Sequence, residues 1–303
     1  MNDLLIAKAY SRLGMKYLPH GGEAVLNIGV ETGPDAVLDA KFLETISQTH
    51  SVDLFDYNFS DPDPISADTY YPVIAEESAT MANDLVEKLN HKKYSGLITI
   101  GGDHSIAYAT FLGILRFHKG KKVGIISFDS HGDVHLQKTS PSGNFHGMWL
   151  RPFFDSFDNE SIASVVDVSI KPENFLYVGN LILEKEEERF IKEKNIAMID
   201  SKMIEVNNTD MVKKIADFCA RVDVLHVTFD VDVFKQSIVS ATGTPNPNGF
   251  EIDMVKQCIT PIVGSGKLFS MDLVEVNPKK ENSEATIAIA QMIIQEFLPG
   301  FHP

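Results

Sequence analysis

The feature that most constrains the fold of this chain is a series of short apolar runs separated by longer amphipathic stretches. Each run is four to six residues long, and Gly, Asp or Asn residues flank most of them. Strands that are buried on both faces have this composition. The runs are Leu97–Ile100, Val123–Phe128, Phe175–Val178, Leu225–Phe229 and Leu268–Met271.

Helical patterns lie between these runs. The clearest are Ala79–Leu89, Glu184–Lys194 and Glu284–Phe297, of which the second is highly charged. Strands that alternate with helices predict an α/β fold, a doubly wound and mostly parallel sheet with helices on both faces. Phe59–Ile65 and Asn246–Gly249 have loop composition, but neither resembles a domain boundary. Residues 1–303 are therefore predicted to form a single domain.

Composition limits the possible partners and the compartment. With 44% hydrophobic residues the chain can form a sizeable core, and a formal charge of −15 argues against nucleic acid and anionic membranes as partners. No apolar run approaches the roughly 20 residues that span a bilayer. Two cysteines in 303 residues suit a reducing compartment, and Met1–Leu18 has no signal-peptide pattern. A cytoplasmic protein is the expectation.

Three polar clusters directly follow three of the predicted strands. They are Gly101–Ser105, Asp129–Asp133 and Asp230–Asp232. In an open parallel sheet, ligands bind outside the carboxyl ends of the strands. The three clusters are therefore expected to face one site.

These clusters contain the side chains of a metal site. In extended backbone, residues i and i+2 point the same way, so the first and third residues of Asp129–His131, and of Asp230–Asp232, are expected to face one point. The predicted ligands are four carboxylates and two imidazoles: His104, Asp129, His131, Asp133, Asp230 and Asp232. Such a donor set suits manganese, with zinc, iron, cobalt and nickel as competitors. Converging carboxylates need cations, and two divalent ions can share a bridging hydroxide.

Each cluster alone has a plainer interpretation. Asp-x-His-x-Asp is often a loop cap, and Asp-x-Asp often a polar strand end or a magnesium-phosphate site. Gly101–Ser105 could be a tight turn before a helix with its N-cap at Ser105. Three such clusters at three strand ends favour the metal site.

The same residues resemble the metal motifs of the arginase (ureohydrolase) family, which includes arginases, agmatinases and formimidoylglutamases. The resemblance covers most of the chain, from the glycine-rich Gly29–Ala36 to Glu275–Pro278. It implies the arginase-like α/β fold. It also implies two Mn²⁺ ions whose shared hydroxide attacks a guanidinium carbon, releasing urea and an amine.

The resemblance also implies a role for each ligand. His104 and Asp133 would bind one manganese, and His131 and Asp232 would bind the other. Asp129 and Asp230 would bridge both ions.

Two further residues match catalytic positions of the family. His146 matches the histidine that shuttles a proton to the leaving amine, a role that suits a pKa near neutrality. Glu275 matches the glutamate that pairs with the guanidinium group. The plainer alternatives are a loop histidine and a capping or solvent-facing glutamate.

The substrate-binding positions resemble the family less closely. Ser140 and Ser142 lie in a loop that is similar to bacterial arginases, where it holds the substrate α-carboxylate. His135 stands where the family usually has Asn. Glu184 stands at the Asp that recognises the α-amino group, and the Arg and Asp before it are replaced by Leu181 and Ile182.

Three functions follow as hypotheses. The leading one is an arginase-type hydrolase that acts on L-arginine or a related guanidino acid. The second is another ureohydrolase, such as an agmatinase, a guanidino-acid hydrolase or a formimidoylglutamase. The third is a metal-binding family member without catalytic activity. The resemblance further implies a small guanidino or amidino substrate and a homo-oligomer, a trimer or hexamer.

Overall fold

The structure is a computed structural model that describes residues 2–16, 27–155 and 157–302. Of the Met1–Leu18 segment, in which we expect no signal peptide, Met1, Tyr17 and Leu18 lie outside the described residues. In the described part of the chain, no helix combines the length and the apolar character needed to cross a membrane.

A single parallel sheet organises the described residues. Its eight strands are β1 (Asn2–Tyr10), β2 (His50–Asn58), β3 (Gly96–Gly101), β4 (Val123–Phe128), β5 (Phe175–Val178), β6 (Ala197–Ile199), β7 (Val224–Asp230) and β8 (Leu268–Val274). Their order is β2-β1-β3-β8-β7-β4-β5-β6, and every neighbouring pair is parallel. The predicted fold class is confirmed, and all five apolar runs are strands.

Ten α-helices of the described residues cover the sheet. They are α1 (Gly33–Val37), α2 (Ala40–Ser47), α3 (Tyr70–His91), α4 (Ile106–Phe117), α5 (Glu160–Val165), α6 (Lys185–Glu193), α7 (Ser201–Val206), α8 (Asn208–Ala220), α9 (Ile252–Val263) and α10 (Ser283–Phe297). The three predicted helical stretches correspond to α3, α6 and α10. Helices α3 to α6 pack on one face of the sheet, and the other six pack on the opposite face.

Each central strand contributes to two hydrophobic cores. Leu4 and Ile6 of β1 join the core on one face, whereas Leu5 and Ala7 join the core on the other. Alternate side chains of a strand point to opposite faces, so a strand covered on both sides must be apolar at nearly every position. This requirement explains the continuous apolar runs.

The strand order determines where the polar clusters meet. Strands β3, β8, β7 and β4 lie side by side in the middle of the sheet. They are parallel, so their carboxyl ends meet at one edge. The three polar clusters and Glu275, which follows β8, all lie at that edge.

Candidate metal centre and substrate cavity

The turn between β3 and α4 presents His104. Gly102 passes so close to β1's continuation that a Cβ atom would lie 1.8 Å from the carbonyl oxygen of Ser11. Asp103 is fully buried and accepts hydrogen bonds from the Ser11 hydroxyl and from the backbone N–H groups of Gly14 and Ser105. Ser105 is the N-cap residue of α4, but its side chain makes no capping bond. Asp103 therefore holds the turn in shape.

The aspartates after β4 and β7 converge through turns, so our expectation of extended backbone is wrong. Asp232 lies in a 3₁₀ turn, Val231–Val233, and its N–H donates to Asp230 Oδ1 over 2.8 Å. The N–H of His131 likewise donates to Asp129 Oδ1 over 2.7 Å. In both cases the first carboxylate folds the chain back on itself, because it accepts the N–H two residues later.

Two groups of side chains form around the two histidines. His104 Nδ1 lies 3.0 Å from Asp133 Oδ2, 3.2 Å from Asp129 Oδ2 and 3.4 Å from Asp230 Oδ2. His131 Nδ1 lies 3.0 Å from Asp232 Oδ2 and 3.6 Å from Asp129 Oδ1. Asp129 thus turns one oxygen toward each histidine, as a carboxylate that bridges two ions would.

The Nδ1 atom of His104 is well suited to bind a metal ion. It is buried and, despite three carboxylate oxygens within 3.4 Å, has no hydrogen-bond partner among the described residues. None of those oxygens is therefore aligned to accept a proton from Nδ1. A lone pair that faces several carboxylates is the environment of a metal ligand, and the mixed imidazole and carboxylate donors fit manganese or a similar divalent ion.

Burial and the mutual repulsion of its carboxylates favour the binding of positive charge by this cluster. Burial raises the pKa of Asp230, and the charge of Asp232 raises it further. Burial alone would lower the pKa of His104, but the nearby carboxylates of Asp129, Asp133 and Asp230 outweigh it and raise the pKa. Both pKa values are raised, which means that the cluster favours the binding of cations, whether protons or metal ions.

Two neighbours of the carboxylates were not predicted from the sequence. The indole N–H of Trp149 donates to Asp133 Oδ2 over 2.9 Å, and the Trp149 ring packs 5.2 Å from the ring of His104. The Thr244 hydroxyl donates to Asp232 Oδ2 over 3.1 Å. A lone tryptophan or threonine in a loop carries no pattern that would identify it in advance.

Glu275 and His146 lie beside the metal cluster. Glu275 is buried and has a left-handed backbone with φ of 69°, a rare conformation for this residue type. Its Oε1 accepts the N–H of His104 over 2.9 Å, and its Oε2 accepts the side-chain N–H of Asn27 over 2.9 Å. His146 Nδ1 is 3.9 Å from Glu275 Oε1. The solvent-facing alternative for Glu275 is thereby excluded.

One cavity of about 290 Å³ connects the cluster with the predicted substrate positions. The metal-binding candidates that line it are His104, His131, Asp133, Asp230 and Asp232, and Asp129 lies behind them. The predicted catalytic and substrate-binding residues that line it are Glu275, His146, Ser140, Ser142, His135 and Glu184. The structure thus brings the predicted site residues into one place.

The pairing of His135 was not anticipated. His135 Nε2 pairs with Glu184 and lies 3.6 Å from Glu187 Oε2. Glu184 and Glu187 form a capping box at the start of α6, a spacing that was visible in the sequence as Glu-x-x-Glu. Burial raises the pKa of Glu187 to about 7.

Known proteins resemble this chain over most of its length. The arginase family profile matches residues 18–299. The arginase of Bacillus caldovelox is 29% identical over 279 residues, which are 87% of this chain and 91% of that protein. The arginase of Entamoeba histolytica is 33% identical over 187 residues, or 61% of this chain and 63% of that protein.

Solved structures agree with the sequence relatives. The Entamoeba histolytica arginase, solved in complex with L-ornithine, superposes with a TM-score of 0.85 at 25% identity and covers 98% of both chains. A formimidoylglutamase from Bacillus subtilis, at 20% identity and a TM-score of 0.70, covers 99% of this chain and 87% of that chain and shares the fold. Fold, residue cluster and family profile agree: the chain belongs to the arginase family and is a ureohydrolase, a metal-dependent hydrolase.

Proposed function

We propose that this protein is an arginase-type enzyme that hydrolyses a guanidino C–N bond of L-arginine, or of a related guanidino acid, to urea and an amine. The observation that carries the proposal is the shared cavity. Six candidate metal ligands lie on or behind its wall with Glu275 and His146 beside them, and the serine loop lines the same space.

Two Mn²⁺ ions are the proposed cofactor. His104 and Asp133 would hold one ion, His131 and Asp232 would hold the other, and Asp129 and Asp230 would bind both. When bound, such a pair of ions lowers the pKa of water and so supplies the nucleophile at neutral pH. Carboxylate-rich donor sets with imidazole favour manganese, although zinc, iron, cobalt and nickel compete for them.

Glu275 is proposed to orient the guanidinium group. Each of its oxygens already accepts one N–H, from His104 or from Asn27, and each keeps a second lone pair for the substrate. A carboxylate can accept paired N–H bonds from the planar cation. The existing bonds hold the carboxylate still, so little further ordering is needed when the substrate binds.

His146 is proposed to supply a proton to the leaving amine. Burial alone would lower the pKa of His146, but the nearby carboxylate of Glu275 and the charges of Asp133 and Asp103 raise it. A raised pKa favours the protonated ring. A general acid must be protonated before it acts, and these carboxylates favour that form.

The polar residues of the cavity wall suit an amino acid. Ser140 Oγ accepts the N–H of Gly143, and Ser142 Oγ accepts the N–H of Asn144. Both hydroxyl hydrogens are thus left to donate to a carboxylate. Glu184 and Glu187, which also line the cavity, can accept from an ammonium group. His135 is proposed to hold Glu184 in position or to share in carboxylate binding.

An agmatinase is the alternative that a specific observation favours. Among the described residues that line the cavity there is no lysine or arginine. A substrate with a cationic tail and no carboxylate would suit such a wall. Formimidoylglutamate, with two carboxylates, would suit it least on charge alone. A non-catalytic metal-binding protein is the remaining hypothesis.

A substrate panel tests these alternatives. Manganese-loaded protein is incubated with arginine, agmatine, formiminoglutamate, guanidinobutyrate and guanidinopropionate, and urea and formamide are quantified. We expect urea from arginine. Turnover of agmatine alone would show that the substrate is agmatine and that the proposed reaction is correct. Two bound ions without turnover of any compound would support the non-catalytic hypothesis.

Three further properties are proposals, of which only the oligomeric state rests on the family. We propose a single domain over residues 1–303, a cytoplasmic location and a homo-oligomer, either a trimer or a hexamer. Size-exclusion chromatography with light scattering measures the last of these directly.

A further inference from the structure

A chain of buried polar side chains extends from His104 into the sheet, away from the cavity. His104 Nε2 lies 2.8 Å from Thr228 Oγ1, and the Thr228 hydroxyl donates to Asp272 Oδ1 over 2.5 Å. These three residues, in the turn after β3, in β7 and in β8, are all 1% exposed or less. Polar groups are costly inside a sheet unless they are paired, so this arrangement needs an explanation.

Further residues contact the second carboxylate oxygen of Asp272. The Thr110 hydroxyl donates to Asp272 Oδ2 over 2.9 Å. His226 Nε2 lies 3.1 Å from the same oxygen, and His226 Nδ1 is 2.9 Å from Ser270 Oγ. Burial alone would raise the pKa of Asp272, but His226, His104 and Thr228 together lower it. Each carboxylate oxygen of Asp272 accepts a threonine hydroxyl hydrogen, so Asp272 acts here as a hydrogen-bond acceptor.

The direction of these bonds determines the tautomer of His104. Thr228 has one hydroxyl hydrogen, and Asp272 takes it. Only lone pairs of Thr228 Oγ1 remain for His104, so His104 Nε2 must carry the hydrogen between them. A neutral imidazole with its hydrogen on Nε2 has a lone pair on Nδ1. Nδ1 is the atom that faces Asp129, Asp133 and Asp230.

We propose that Thr228 and Asp272 are positioning residues that fix the orientation and the tautomer of His104, so that Nδ1 is preset as a metal ligand. The inference rests on the proposed two-ion centre. Thr228 and Asp272 touch neither the cavity nor the other histidine, His131. Their effect should therefore be confined to the ion on the His104 side.

Metal titration of the metal-free protein tests this proposal. Mn²⁺ is added to the wild type, to Thr228→Val and to Thr228→Ser, and bound ions are followed by isothermal calorimetry and by electron paramagnetic resonance of free Mn²⁺. We expect Thr228→Val to weaken one of the two ions by about 10- to 100-fold, the usual effect of losing a residue that orients a ligand. The second ion should bind within about threefold of the wild type, and Thr228→Ser should restore the first, because serine keeps the hydroxyl.

Thr99→Val is the matched control. Thr99 is a fully buried threonine of the adjacent strand β3, opposite Asp272 in the sheet register, and its hydroxyl has no hydrogen-bond partner among the described residues. The same substitution there should leave both ions unchanged. Circular dichroism confirms that each variant is folded.

Asp272→Asn supplies a second measurement should Thr228→Val fail to fold. An amide at this position can donate to Thr228 and so turn the hydroxyl hydrogen toward His104, which again weakens the first ion. Equal loss of both ions, or wild-type affinities in Thr228→Val, would overturn the inference. Failure of the wild type to bind two ions would instead contradict the proposed function.

Discussion

Single residues at this site have structural roles as well as proposed catalytic roles. Glu275 accepts the N–H of His104 and reaches toward His146, and it does so from a left-handed backbone conformation. Such strain persists where the surroundings enforce it, and it is concentrated at functional sites. Substitution of Glu275 would therefore disturb metal binding and substrate binding together. Among the described residues, His146 makes no backbone hydrogen bond to a proposed metal ligand, so its substitution isolates the chemical step better.

Replacement of His146 tests the proton-transfer role. We expect His146→Asn to keep both ions and to lower kcat by about 100-fold, the usual scale of a general acid or base. Asparagine can still form hydrogen bonds but cannot carry the proton. Steady-state kinetics and metal analysis on the same samples provide the check, and His118→Asn, at a histidine outside the cavity, is the control. An unchanged kcat would remove His146 from the mechanism.

At the scale of elements, the sequence predicted the five strands with continuous apolar runs and missed β1, β2 and β6. β1 was not predicted because Lys8 interrupts its apolar residues, yet the strand is interior, and Lys8 reaches out to Asp35. β2 is an edge strand with alternating exposure, and β6 has only three residues. A single polar residue in a strand is informative only once its tertiary partner is known.

The candidate site was also predicted only in part from the sequence. Its position at the strand ends followed from the parallel topology alone. The convergence of Asp230 and Asp232 was expected from extended backbone, whereas a 3₁₀ turn produces it. Thr228 and Asp272 were not identified, because each is one polar residue within an apolar strand and their partners come from other strands.

The turn between β3 and α4 depends on glycine. A Cβ at Gly102 would lie 1.8 Å from the Ser11 carbonyl oxygen, so Gly102→Ala must displace either that turn or the chain after β1. We expect a loss of about 1–3 kcal/mol in the free energy of unfolding, typical of overpacking, together with weaker Mn²⁺ binding because His104 follows in the same turn. Urea denaturation and metal titration measure the two effects.

A second glycine provides the comparison for this substitution. Gly264 ends α9 with φ of −67°, lies outside the cavity, and would place a Cβ 3.3 Å from the Thr260 carbonyl oxygen. Gly264→Ala should change stability by much less than Gly102→Ala and should leave metal binding intact. Equal effects at the two glycines would contradict the steric argument.

At the scale of the whole molecule, the proposed metal centre ties together strands that are distant in the sequence. Its ligands follow β3, β4 and β7, and four buried carboxylates meet there. Ions that bind only the folded state stabilise it by mass action, about 2.7 kcal/mol for each site at 100 times Kd. Removal of metal should therefore lower Tm for the protein as a unit, since the centre joins the middle of the sheet.

The stability of the metal-free protein should depend on pH in a direction that the histidines determine. Burial alone would lower the pKa values of His104 and His131, but nearby aspartates raise both above the ordinary value of 6.5. A raised histidine pKa stabilises the folded state fully below the unfolded pKa, about 6.5, and this contribution is lost as the pH rises through the folded-state pKa. The contribution of bound Mn²⁺ has the opposite pH dependence, because protons compete with metal for the same ligands and metal binds more tightly as the pH rises. The difference in Tm between manganese-loaded and chelator-treated protein should therefore widen from pH 6 to pH 9. Scanning fluorimetry across that range measures it, and a constant or narrowing difference would show that these two histidines do not exchange protons for metal.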